Sequence, residues 1–370
     1  MSNTCHRLTE TYNTNVLQSA STIEKVVFYT EAEKHKSGIK GNTTLIQLIN
    51  NHRLNKEPTP KLIAGPRSLS LHYNKQYQLT VYTFGERHAD TNDCPNTPTF
   101  TPIEDFLQRQ IATTSAFIDM YVELPTFEGQ GIDYIEKTGV FYYGTIGRIA
   151  KKLKECLVPH TRANRLCNLV RLHYIDIRKG EKPTNPLSLL RPCLRNKTCI
   201  KLHMDTIRKL GHENIDVYRK FLLDQITLNP PLLKELNKSF LKDEILKFGT
   251  QQLLQYGMDI RDTLRENVSS FNYQAIYNII AGLNGYLIDM YTLSRIFKKF
   301  NVENDNINQP TSPHNIIIYT GEFHSGNYRK FLESIGSKEI AHTGPRNYKD
   351  LTGPQNCLDT TNFPMPFFRN

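Results

Sequence analysis

An α/β fold, with a parallel or mixed central sheet, flanking helices and a large helical insertion, follows from three features of this 370-residue sequence. Short β-branched and aromatic runs alternate with segments of helical period, the grammar of βαβ units. Two of those runs stop in the same pattern, Gly-Glu-x-His, at Gly85–His88 and again at Gly321–His324. From Cys199 to Phe300 the period is helical throughout, well beyond an ordinary crossover. The chain therefore divides into an N-terminal extension packing on the core (1–75), the first part of the α/β core (76–198), the helical insertion (199–313), and a last strand–helix unit with a tail (314–370).

The elements follow in order. Residues 1–75 are polar and uneven, with short elements at Ser21–Phe28 and Thr43–Asn51 and a connector marked by Pro58, Pro60 and Pro66. Tyr77–Phe84 is the first strand, and the Asn-, Asp- and Pro-rich stretch Asp90–Thr99 is loop. Thr101-Pro102-Ile103-Glu104 has the form of a capped helix start, with Thr101 as the hydroxyl cap, and the helix runs to about Thr114. Ala116–Leu124 is the second strand, Tyr142–Leu157 a basic helix and Leu166–Ile177 the third strand. Four helices fill the insertion, at Val217–Ile226, Pro231–Phe248, Gln251–Val268 and Tyr273–Phe300. Asn315–Thr320 is a strand leading through Gly321–His324 into a helix, Lys338–His342 is a final short strand, and the Pro- and Phe-rich tail packs on the core.

Composition narrows the classes. Hydrophobic content of 38% with 22% charged residues is that of a globular protein with a full core. The most apolar window, Ile276–Tyr291, contains Asn278, Asn284 and Asp289 and is too short to span a bilayer. The N-terminus carries no signal-like apolar run. A formal charge of +10 raises nucleic acid as a partner, yet the basic clusters at Arg148–Lys154, Arg162–Arg178 and Arg191–Arg208 are not interleaved with aromatics; a solvated basic surface is the better reading. The seven cysteines are scattered and form no CxxC pair, so free thiols in a soluble protein of a reducing, intracellular compartment are expected.

Ligands of a parallel α/β sheet bind at the carboxyl ends of the strands. Candidate site residues stand at four such ends: Glu86 and His88, Glu123, Asp176 and Arg178, and Glu322 and His324. Chance supplies a Gly-Glu-x-His pattern only about 0.04 times in a chain of this composition. In extended backbone, residues two apart point the same way, so each Glu–His pair could share a ligand. The preceding glycines leave room for a substrate to approach. Two chemistries fit. A divalent metal held by Glu86, His88, Glu322 and His324 would activate water. Alternatively, a metal-free site would use a His as base, a Glu to orient the water and Arg178 to steady the oxyanion. His173 reads as structural, one of Asp119 and Glu123 in the same strand as only a salt-bridge partner, and Asp289 and Arg295 as a solvated or helix-pair salt bridge.

Gly85-Glu86-Arg87-His88, Glu123 on the next strand, and Gly321 to His324 on a later one resemble the ChaN/TraB/Tiki/erythromycin-esterase superfamily. Asp176-Ile177-Arg178 resembles its Asp-Arg element with one residue inserted. The resemblance covers about residues 77–178 and 315–336. It implies an α/β core with a Glu/His site, and a hydrolase of ester or peptide bonds acting on a small-molecule or peptide substrate. The superfamily includes predicted metal-dependent peptidases, metal-free esterases and a haem-binding protein, so the implied cofactor is a divalent metal ion, a haem or none. The alternative function is a non-catalytic binding or structural protein that keeps the α/β pocket.

Overall fold

The computed structural model describes residues 61–87, 94, 100–114, 116–125, 144–153, 169–177, 215–266, 273–302, 309–346 and 356–368. The elements expected at Ser21–Phe28 and Thr43–Asn51 lie outside these residues. Nine strands are described: β1 Leu62–Ala64, β2 Ser68–Asn74, β3 Leu79–Glu86, β4 Phe100–Pro102, β5 Ile118–Pro125, β6 Val170–Asp176, β7 Asn315–Gly321, β8 Lys338–Thr343 and β9 Cys357–Asp359. The helices are α1 Ile103–Thr113, α2 Gly144–Leu153, α3 Ile215–Leu228, α4 Pro230–Lys238, α5 Lys242–Glu266, α6 Tyr273–Ile296 and α7 Glu322–Ser334.

The main sheet has six strands in the order β6-β5-β7-β3-β2-β8. β6, β5, β7 and β3 are parallel, while β2 runs antiparallel to both β3 and β8. The fold is thus α/β with a mixed sheet. A second sheet, β4-β1-β9, has three strands. Both faces of the main sheet are covered, which is why its central strands read as continuous apolar runs. Val81, Tyr121, Ile316 and Ile318 pack against the insertion helices and α7. Tyr82, Phe84, Met120, Val122, Ile317 and Tyr319 pack against α1, α2 and the C-terminal segment. Among the described residues, no helix is long and apolar enough to cross a membrane.

Several boundaries differ from the sequence expectation, each for a local reason. Part of the supposed N-terminal extension is core: β2 pairs along its full length with β3. Its Leu69 and Leu71 enter one apolar core while Ser68, Ser70 and His72, alternating with them, are buried on the other face. Small polar residues hid this strand. Thr101 lies in β4, paired with β1, so Pro102 occupies the N-cap of α1 without a side-chain cap bond; Glu104 instead receives Arg148 Nε of α2 at 3.0 Å. The helix expected over Pro231–Phe248 breaks at Ser239, whose hydroxyl donates to Phe297 O at 3.0 Å. The expectation of free thiols is corrected for two cysteines: Cys94 and Cys357, 263 residues apart, form a disulfide beside the small sheet.

The aromatic tail fills the core between α1 and β3. Phe367 stacks on Tyr82 at 3.8 Å between centroids and meets Phe106 edge-on at 5.5 Å. Its backbone N–H donates to Gln110 Oε1 at 2.9 Å. Phe367→Ala is therefore expected to lower unfolding free energy by about 3–5 kcal/mol, measured by urea denaturation followed by circular dichroism.

Candidate active site at the strand ends

β3 and β7 are neighbours, with Gly85 opposite Thr320 and Glu86 opposite Gly321. The two Gly-Glu-x-His elements therefore lie side by side although they are far apart in sequence. Their side chains diverge. Glu86 ends β3, is buried, and accepts a 2.8 Å hydrogen bond from Tyr319 Oη on the face covered by α1 and α2. Burial and then the adjacent Glu86 carboxylate push the Tyr319 phenol well above its usual range, so it remains a donor. His88 lies outside the described residues.

Glu322 and His324 are not in extended backbone. They occupy the first turn of α7, where positions two apart differ by roughly 200° around the axis. That geometry sends the two side chains to different partners. Glu322 accepts from Ser68 Oγ and from Arg329 Nη2, and Arg329 Nη1 also reaches Ser68 Oγ at 3.1 Å. The carboxylate lies directly over Gly85: a Cβ there would stand 1.9 Å from Glu322 Oε2 and 2.7 Å from Ser68 Oγ. A helix N-terminus also favours a carboxylate. Glycine at position 85 thus makes room for Glu322.

His324 turns towards β5 and α6. Its Nδ1 meets Asp289 Oδ1 at 2.7 Å, and its Nε2 faces Glu123 Oε1 at 3.4 Å. Each carboxylate is held from behind: Glu123 Oε2 accepts the Gly321 N–H at 2.8 Å, and Asp289 Oδ2 accepts Asn327 Nδ2 at 2.7 Å. Gly285, one turn before Asp289 on α6, gives the imidazole its space, since a Cβ there would lie 3.0 Å from His324 Cε1. Burial disfavours the charged ring, but the carboxylates of Glu123 and Asp289 outweigh it and raise the His324 pKa to about 10. His324 is an imidazolium clamped between two carboxylates.

Asp176 ends β6, opposite Pro125 of β5, and is only partly buried; Arg178 lies outside the described residues. Asp119 and His173 form a separate cluster near the opposite, amino-terminal ends of β5 and β6. Asp119 accepts Arg171 Nε at 2.6 Å and contacts His173 Nε2 at 2.9 Å. Arg295 Nη2 of α6 lies 2.8 Å from His173 Nδ1. Burial lowers the His173 pKa to about 4 despite Asp119, leaving a neutral ring that accepts from Arg295. Asp289, read in sequence as part of a solvated or helix-pair salt bridge, is 1% exposed and central to the site. The available signal was a carboxylate inside the most apolar helical window of the chain.

The expected metal set does not assemble from its described members. Both Glu322 oxygens are engaged by Ser68 and Arg329, and both His324 nitrogens face carboxylates. Among the described residues, Glu86, Glu322 and His324 form no group of ligand atoms that could hold a metal. Nor is either His324 nitrogen open for a haem iron. What the arrangement provides is a proton donor between two acceptors in a buried, low-dielectric setting. Fold and site together define an α/β protein with a buried Asp–His–Glu relay at its strand ends. No family model matches the chain, and no curated protein or solved structure matches it either.

Two outcomes follow. Gly85→Ala should lower stability by about 3 kcal/mol or more, because the added methyl must displace a buried ion pair; urea titration measures it. The His324 pKa is higher folded (about 10) than unfolded (about 6.5), so its contribution is fully present below pH about 6.5 and is lost as pH rises through about 10. The urea midpoint should fall across that window in the wild type, and His324→Gln should lose the His324 share of this slope.

Proposed function

We propose that the chain is a hydrolase of carbonyl esters or peptides that works without a metal through Asp289, His324 and Glu123. The observation that carries this reading is the pinned imidazolium: Nδ1 bound to Asp289 and Nε2 facing Glu123 across a longer, 3.4 Å gap. Asp289 orients the ring, as the third member of an acid–base relay must. Water attacking the acyl carbon gives one proton to Glu123. As the carbon–oxygen or carbon–nitrogen bond breaks, the His324 Nε2 proton goes to the departing alkoxide or amine. The proton on Glu123 then crosses to His324 and restores the starting state. A residue held protonated to about pH 10 is suited to the acid role, not to that of the base assigned to a His in the sequence reading. Arg178 keeps its assignment as a contact to the small-molecule or peptide substrate.

A second reading has its own observation. Glu123, Asp289 and His324, bonded to one another or to the backbone, and Glu322, bonded to Ser68 and Arg329, are each at most 7% exposed, as an electrostatic lock in a non-catalytic scaffold would be.

The two separate on turnover. Full-length protein in EDTA is given 4-nitrophenyl esters of graded acyl length and fluorogenic peptides. The hydrolase reading expects turnover above buffer, a rate that falls as pH rises past about 10, and a loss of about 10²–10⁴-fold in Asp289→Asn and His324→Gln, both verified as folded by circular dichroism. No turnover of any probe, or wild-type turnover in folded His324→Gln, overturns it in favour of the scaffold.

A further inference from the structure

A second constellation lies at the other edge of the sheet, under the C-terminal half of α7. His72 of β2 is fully buried, and neither ring nitrogen has a hydrogen-bond partner among the described residues. Its Nε2 stands 3.8 Å from Glu333 Oε1 of α7 and 3.9 Å from Glu339 Oε2 of β8. The three ligand atoms lie within 4.8 Å of one another. His342 Nδ1 lies 3.3 Å from Glu339 Oε2 and is likewise buried without a hydrogen bond. Ser70 Oγ and Thr83 Oγ1, cross-strand neighbours on the same face, are also buried and unsatisfied. Native interiors rarely leave such a set of polar atoms orphaned, and an ion or water is the usual explanation.

The backbone is shaped to gather these groups. Residues three apart on a regular strand face opposite sides. Glu339 and His342 nonetheless both come to the α7 face, because the β2–β8 register shifts between Leu71 and His72: Glu339 pairs with His72 and His342 with Ser70. A bulge is a known means of re-aiming a side chain. Glu333 is half-exposed, which leaves a path for entry. The 3.8 and 3.9 Å separations of His72 Nε2 from the two carboxylates approach those between ligands around a four-coordinate ion with bonds of about 2.0–2.2 Å.

We propose that His72, Glu333 and Glu339 form a binding site for a divalent transition metal of the Zn²⁺ class, with water as a fourth ligand, which fastens α7 to β2 and β8. An imidazole with two carboxylates suits such an ion better than Mg²⁺ or Ca²⁺, which prefer all-oxygen shells. Arg346 binds both Glu339 oxygens, Nη1 reaching the ligand atom Oε2 at 3.0 Å, and metal binding requires this arginine, 66% exposed at its side chain, to turn out into solvent. The site is distinct from the Gly-Glu-x-His elements and does not depend on the hydrolase reading.

Full-length protein stripped with EDTA and dialysed free of it is titrated with ZnCl₂ and, for its visible spectrum, CoCl₂; MgCl₂ is the control. The expected results are one equivalent bound, cobalt d–d bands of four-coordinate intensity, and a rise in Tm with Zn²⁺ but not Mg²⁺. His72→Gln should weaken Zn²⁺ binding by about a hundredfold or more, at least what loss of an outer-shell partner costs. Glu333→Gln, at a half-exposed position that leaves folding intact, should weaken it too, whereas His324→Gln should bind as wild type. Absence of stoichiometric Zn²⁺ binding, or binding unchanged in Glu333→Gln and His72→Gln, overturns the proposal.

Discussion

The buried imidazolium of His324 is the constraint around which the strand ends are built. Ionised groups are held away from water at a cost of several kcal/mol each unless their partners are close and well placed. Here the partners arrive from three elements: Glu123 from β5, Asp289 from α6, and the ring itself from α7, with the Gly321 N–H bracing Glu123. Those contacts set where α7 begins and how closely α6 approaches it. Gly285 and Gly85 follow from that approach, since a methyl at either would press on a site side chain. Glu322, one residue into the helix, gains from the same arrangement a position at the helix N-terminus with Arg329 beside it.

The helical insertion is tied to the sheet at both ends of one face. At the carboxyl ends the link is Asp289 to His324; near the amino ends it is Arg295 to His173, with Asp119 and Arg171 behind. Asp289 and Arg295 belong to the same helix, α6, and between the two links lie Met290 and Leu293, in one core cluster with the strands. The two histidines reach opposite charge states by the same physics. His324 is flanked by two carboxylates and keeps its proton; His173 shares its single carboxylate with Arg171 and faces Arg295, so burial wins. The insertion is thereby part of the site, contributing the residue that orients the imidazole.

Much of the order of elements was legible because strands buried on both faces must be apolar runs, and Asn315–Gly321 is one such run. The repeat of Gly-Glu-x-His correctly placed two strand ends that are neighbours in space. The conformation after each glycine was not legible: Glu322 enters a helix at once, so a two-residue spacing that would align side chains on a strand separates them. β2 carries no strand-like apolar alternation in sequence because Ser68, Ser70 and His72 fill the positions of one buried face. Thr101 carried the form of a helix cap but was claimed by pairing with β1.

The sequence by itself determined the local matters: which runs are strands, where helices repeat, and that glycines precede the ionisable residues at two strand ends. These depend on neighbours along the chain, through side-chain period and backbone freedom. Only the tertiary structure decided which carboxylate faces which imidazole, that Asp289 is buried rather than solvated, and that Cys94 bonds to Cys357. Those outcomes depend on desolvation and on distances between elements far apart in the chain, and no local pattern encodes either.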